Sequence, residues 1–234
     1  MTCLGSIDAG INRREEGAPA CRPRGRPRGR ADDDTLRIII AAAREEFLAH
    51  GFAATNMASV AQKAGVSTKT MYRLAPTKAE LFRKVVSSRM EIFALALDLD
   101  PLDALAPEDA LAHLLTVFGE MTLGEEATGL YRLAVTEGAR FPEVAASFYE
   151  AAVEAGGRAI EAWLVRQRDR GIIKLNDLVL ASGMLRGMMI MEGQRGALLR
   201  QRALPNRTEI AVRAHACARV FLNGCRPAGP VQPA

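Results

Sequence analysis

Residues 55–82 read TNMASVAQKAGVSTKTMYRLAPTKAELF, and the spacing inside this stretch decides the architecture around it. Met57, Val60, Ala61 and Ala64 fall at i, i+3, i+4 and i+7, the apolar stripe of a short helix. Gly65 follows the last periodic position. A left-handed residue there costs glycine little, so it predicts the end of that helix. Ser67 sits two residues on, with a hydroxyl able to accept from free amides, and is the predicted N-cap of a second helix over residues 68–74. Two short helices joined by a three- or four-residue turn containing glycine make a helix-turn-helix.

The second helix has a surface suited to duplex DNA. Thr68, Lys69, Thr70, Tyr72 and Arg73 offer hydroxyls, an ammonium and a guanidinium, while Met71 and Leu74 are left for the core. Such a helix end meets base edges and phosphates. An ordinary helical hairpin with a solvated polar face fits the same spacing, so the flanking residues have to discriminate.

They do so through a resemblance. The pattern Ile39-Ile40-x-Ala42-Ala43-x-x-x-Phe47-x-x-x-Gly51-Phe52-x-x-Thr55-x-Met57-x-x-Val60-Ala61-x-x-Ala64-Gly65-Val66-Ser67-x-x-Thr70-Met71-Tyr72, followed by Lys78-x-x-Leu81-Phe82, resembles the N-terminal domain of the tetracycline-repressor-like (TetR) family of bacterial regulators. The resemblance implies an all-α chain, with a three-helix DNA-binding domain followed by an α-helical ligand-binding and dimerisation domain. It also implies that Thr55 and the stretch from Ser67 to Tyr72 meet DNA, and that Lys78 holds phosphate as the next long helix begins. Lys69 departs from the family, which commonly has Gly or Ala there. Leu74 and Ala75 replace its usual aromatic pair, and Ala79 a frequent Glu. Lys69 can reach guanine O6/N7 or a phosphate, and both stay open.

Working outward, 234 residues with 49% hydrophobic content allow one or two globular domains. The net charge is only +4, but the excess is local: Arg22, Arg24, Arg26, Arg28 and Arg30 lie within nine residues. Residues 1–31, rich in Gly, Pro and Arg, are predicted to be a disordered basic arm. Inside it Pro23-Arg24-Gly25-Arg26-Pro27 resembles the core of an AT-hook. Narrow A·T grooves attract arginine, and Gly25 would let Arg24 and Arg26 approach the groove floor. A solvated basic tail, or an extension from a misplaced start codon, is the other reading.

Asp34 or Thr35 is the expected cap of a first helix running to about His50, with Leu36, Ile39, Ile40, Ala43 and Phe47 inward and Gly51 ending it. We place the helix-turn-helix domain at residues 32–82. A long helix is expected from 78 to about 99, with Leu81, Phe82, Val85, Met90, Phe93 and Leu97 buried and a boundary at Asp98-Leu99-Asp100-Pro101. Helical patterns follow at about 107–122, 125–138, 142–170, 176–200 and 208–222, within a second domain over 83–222. Residues 223–234 are an expected disordered tail.

In the second domain Arg132-Leu133-Ala134-Val135-x-Glu137-x-x-Arg140-Phe141-Pro142-Glu143-Val144 and Phe148-Tyr149 resemble one group of TetR-family regulatory domains. Candidate walls of a ligand pocket are Phe118, Met121, Tyr131 and Phe148, together with Trp163, Met184 and Met188, methionine suiting a pocket that repacks. Residues at such spacing also serve as plain core. Ser182, Gly183 and Gly187, with the stripe Ile210, Ala214, Cys217 and Phe221, suggest a homodimer face or packing within one chain.

The scattered His50, His113 and His215, and the lack of a phosphate loop, nucleophile elbow or HExxH, argue against an enzyme. Glu125-Glu126 reads as a charged helix start. Cys3, Cys21, Cys217 and Cys225 have no metal-like spacing, so neither a metal nor a cofactor is expected. No leader or membrane-spanning run is apparent, which predicts a cytoplasmic protein. The function expected is a transcriptional regulator, most often a repressor in this family, that binds a palindromic operator in double-stranded DNA as a homodimer and is released by a small-molecule effector. The rival is an architectural DNA-binding protein without ligand control.

The arm makes a measurable prediction. Each neutralised phosphate contributes about −0.9 to the slope of log affinity against log salt, so deleting residues 1–30 should cost roughly two to four slope units. The loss should be larger with A·T-rich than G·C-rich flanks. Equal slopes and flank preference for truncated and full-length protein would reduce the arm to a solvated tail.

Overall fold

The computed structural model describes residues 32–96 and 102–225, and the side chains of these except 92–96. The arm with Arg24, Gly25 and Arg26, the expected boundary at 98–101, the side chains of Phe93 and Leu97, and the tail beyond 225 lie outside the described residues. What is described is helical, with no strand among the described residues. The order is α1 (Asp32–Ala54), α2 (Met57–Lys63), α3 (Thr68–Leu74), α4 (Lys78–Ala96), α5 (Pro107–Thr122), α6 (Glu125–Glu137) and α7 (Pro142–Phe148). A π-type turn (Tyr149–Glu154) leads into α8 (Ala155–Asp169), followed by α9 (Leu178–Leu198) and α10 (Arg207–Cys225).

The turn after α2 follows its sequence. Gly65 has φ +65°, its N–H donates to Gln62 O and the Val66 N–H to Ala61 O, the paired bonds of a Schellman stop. Asn56 Oδ1 accepts from Ala58 N at 2.8 Å to cap α2, and Ser67 Oγ accepts from Thr70 N at 3.1 Å to cap α3. Asp34 and Thr35 do not cap α1, because the helix begins at Asp32; the three aspartates occupy its first turn, where carboxylates complement the helix dipole.

Gly51 does not simply end α1. It adopts φ 78°, ψ 173°, a region essentially reserved for glycine, and the chain then resumes one more helical turn to Ala54. That kink swings Phe52 inward, where its ring lies 5.8 Å from Phe47, 6.0 Å from Phe82 and 5.2 Å from Phe141. The core of α1 to α4 therefore includes Phe141, half-buried, and Leu130, Leu133, Ala134 and Val144 from α6 and α7. The two halves of the chain share one apolar cluster.

A second core gathers α5, α8, α9 and α10 around Trp163, Leu111, Leu114 and Leu115. Ile210, Ala214, Cys217 and Phe221 are buried in it within one chain, so this stripe is not an outward dimer face. The periodicity was sound, but α5 already covers it. The expected helix over 142–170 is continuous in direction yet widens through the π-type turn, which places the Val153 carbonyl within reach of Arg186.

Gly51→Ala should lower stability by about 2 to 3 kcal/mol, since backbone strain of this kind costs on the order of 1–3 kcal/mol. A Cβ there would also stand 2.6 Å from Glu137 Oε1. Gly65→Ala, with open space around it, should cost only about 1 kcal/mol. Urea denaturation of both variants checks this ranking, and equal losses would remove Glu137 from the account.

Candidate DNA-reading surface and ligand cavity

On α3, Thr68, Lys69 and Tyr72 are exposed, Tyr72 to 51%. Ser67 and Thr70 are engaged with each other, their hydroxyl oxygens 2.9 Å apart, beyond the cap itself. Arg73 is committed as well: Nη1 and Nη2 each donate to Asp32 at 2.7 Å, and this contact holds the Asp32 carboxyl below its usual range. A phosphate would have to replace that carboxylate. The pair joins the start of α1 to α3.

Two expected DNA contacts are turned inward. Thr55 is 4% exposed, and its hydroxyl lies 2.6 Å from Gly51 O and 3.2 Å from Glu46 O. Lys78 Nζ donates to the carbonyls of Phe52, Ala53 and Thr55 at 2.6, 3.1 and 3.0 Å, and lies 4.6 Å from the centre of the Phe52 ring. Burial pushes its pKa below the ordinary lysine value, against the pull of Glu137. Both residues hold the kinked end of α1. The kink exposes polar groups that have to be satisfied, and the nearest cation and hydroxyl do so.

From the other side, Glu137 at the end of α6 accepts from Phe52 N and Ala53 N, each at 2.7 Å. Nothing in the spacing of the chain singled out Glu137 for this contact, because the acceptor lies 85 residues from its donor. At the opposite end of α6, Glu126 Oε1 stands 3.4 Å from Arg44 Nε of α1 and 2.9 Å from Arg89 Nη1 of α4. The charged helix start is thus also a bridge.

Between α4, α5, α6, α7 and α9 lies a mainly apolar cavity of about 300 Å³. Phe118, Met121, Tyr131 and Phe148 line it, with the rings of Tyr131 and Phe148 5.5 Å apart. Trp163, Met184 and Met188 do not. Trp163 is fully buried in the second core, Met184 is 56% exposed, and Met188 packs partly on that core. On α9 the face turned to the cavity is Gly183, Arg186, Gly187, Ile190, Met191 and Gln194, which carries 184 and 188 about one residue's rotation away. A Cβ built on Gly183 or Gly187 meets nothing within 4 Å, so these glycines leave space in this chain. The polar lining residues Arg89, Arg186 and Gln194 escaped the sequence reading, since apolar size was its only signal.

Among the described residues no group of His, Cys, Asp and Glu could hold a metal ion, and no helix is long and apolar enough to cross a membrane.

Lys78→Met should cost about 2 to 3 kcal/mol, as three carbonyls lose a charged donor, whereas Lys69→Ala on the exposed face should stay within about 0.5 kcal/mol of wild type. Thermal melts separate the two. A Lys78→Met protein as stable as wild type would free that lysine for DNA.

Residues 39–85 match the family model described as bacterial regulatory proteins, tetR family, and residues 109–224 match that of the AefR-like transcriptional repressor C-terminal domain. No curated protein matches the chain. Among solved structures, one described as a TetR-family transcriptional regulator from Mesorhizobium loti MAFF303099 is 26% identical with a TM-score of 0.73, over 84% of this chain and 98% of that one. The flavonoid-responsive regulator FrrA is 27% identical with a TM-score of 0.69, over 84% and 100%. A TetR family transcriptional regulator from Pseudomonas syringae pv. tomato str. DC3000, at 22% identity and a TM-score of 0.64 over 84% and 99%, shares the fold. Two family models of the same kind, one over each half, and structures of the same architecture agree: the chain belongs to the TetR family of DNA-binding transcriptional regulators.

Proposed function

We propose that this protein is a ligand-responsive repressor, acting in the cytoplasm, that binds a palindromic operator as a homodimer and leaves it when a small molecule fills the cavity. One observation carries the ligand control: α6 lines the cavity with Ala127, Leu130 and Tyr131 while its two ends grip α1 through Glu126 and Glu137. A ligand that shifts α6 cannot leave the helix-turn-helix unaffected, because packed cores pass on displacement and do not absorb it. The relative named as flavonoid-responsive supports the same reading. Thr68, Lys69 and Tyr72 are the proposed operator contacts, and Arg73 joins them on exchanging Asp32 for phosphate.

The dimer is proposed through the outward faces of α9 and α10. Val179, Leu180 and Met184 on α9 and Val212 and Val220 on α10 are 56 to 67% exposed. Apolar side chains clustered on two adjacent helices favour burial against a second copy, and a twofold axis would set two reading helices against two half-sites.

Footprinting over the promoter of the chain's own gene tests this reading. The expected protection is two half-sites one or more helical turns apart, about 34 Å per turn. Leu180→Asp combined with Val220→Asp should give a folded monomer by light scattering, with operator affinity lowered about 100-fold or more, because several kcal/mol of desolvated charge oppose association. A dimer that persists in this variant would move the interface elsewhere. Protection that no small molecule relieves would favour the architectural reading.

A further inference from the structure

The cavity carries two guanidinium groups and no carboxylate among its described lining residues. Arg89 is neutralised from behind by Glu126, 2.9 Å from its Nη1, and its Nη2 donates to Met121 O. Arg186 has no such partner. Among the described residues no carboxylate comes within the 4.0 Å of an ion pair, Nη1 donates to Val153 O at 2.9 Å, and Nε is buried without a hydrogen-bond acceptor. Glu161 flanks the same stretch of α8: a Cβ on Gly157 would lie 3.3 Å from both Glu161 Oε1 and Arg186 Cζ. It does not line the cavity and does not close a pair with Arg186.

A cation beside apolar walls costs free energy unless an anion meets it, and Arg89 shows the paired arrangement in the same cavity. The bond to Val153, whose carbonyl the π-type turn supplies, fixes the guanidinium plane. With Nη1 committed, Nη2 and Nε remain as the parallel pair of donors that matches the two oxygens of a carboxylate; Nε is closed off in this arrangement, so a carboxylate meets both only as the guanidinium turns toward it. The rings of Tyr131 and Phe148 and the side chains of Met121 and Met191 form the apolar remainder, suited to a planar body. A cavity of about 300 Å³ is at the small end for ligand sites, which favours one or two rings over a long chain.

We propose that the effector is an organic anion, a carboxylate on a compact ring-bearing apolar body, with its carboxylate on Arg186. This rests on reading the cavity as the effector site. The test is isothermal titration calorimetry of the full chain with matched acids and primary amides: benzoic, 3-phenylpropanoic and naphthalene-2-carboxylic acid and their amides. At least one acid should bind about 10- to 100-fold tighter than its amide. That gap should close in Arg186→Met and reopen in part in Arg186→Lys. Should Arg186→Met fail to fold, the wild-type ratio and that of Arg186→Lys decide. The proposal is overturned if no acid binds better than its amide at millimolar concentration, or if the gap survives in Arg186→Met. Gly187→Phe, which fills the cavity, separates the two levels of the reading. If it abolishes binding of acid and amide that were equal in affinity, the cavity stands as the ligand site and the anion proposal falls. If binding is unchanged in Gly187→Phe, the cavity is not the site and both readings fall.

Discussion

The break in α1 at Gly51 is the constraint on which the rest of this molecule depends. The short turn that follows a helix interrupted at φ 78° cannot satisfy its own amides and carbonyls, and buried backbone groups cannot be left unmet. Glu137 takes the amides of Phe52 and Ala53, Lys78 takes the carbonyls of Phe52, Ala53 and Thr55, and the Thr55 hydroxyl faces Gly51 O. These satisfiers come from α6, from the first residue of α4 and from the turn before α2. Each of the charge-assisted bonds from Lys78 and to Glu137 is worth roughly 1.5–3 kcal/mol, so together they offset the interruption of the helix.

The same contacts tie the helix-turn-helix to the helices that line the cavity. Phe52, brought inward by the kink, packs on Phe141 as well as on Phe47 and Phe82, so the aromatic cluster straddles both halves of the chain. Leu130 lines the cavity and belongs to the apolar core of the reading domain. A side chain that serves two environments is a physical link between them, and the ion pairs of Glu126 with Arg44 and Arg89 add a second, electrostatic one. The proposed ligand control would then require only that α6 have two arrangements of similar energy, which a ligand biases.

Local chemistry made much of the fold legible. Gly65 and Ser67 act within a few residues of themselves, so the turn and the cap of α3 follow from spacing. The apolar stripe of α10 was equally legible as a stripe, but periodicity gives a face and not its partner: α5 covers it, and the outward residues of α9 and α10 lie on other sides of those helices. Phe118, Met121, Tyr131 and Phe148 on α5, α6 and α7 line the cavity, while Trp163, Met184 and Met188 do not, since size and softness say nothing about rotation around a helix axis.

The sequence by itself determined the helical class, the reading motif and the positions of most helix ends, because these rest on bonds between near neighbours. Tertiary structure alone decided what the charged residues do. Lys78 and Thr55, expected at DNA, are placed as supports for the Gly51 kink, Arg73 is set against Asp32, and Arg186 lines the cavity without a carboxylate partner among the described residues. A charge has a strong partner preference but no sequence period, so its role is settled only when folding brings distant chain segments within a few ångströms.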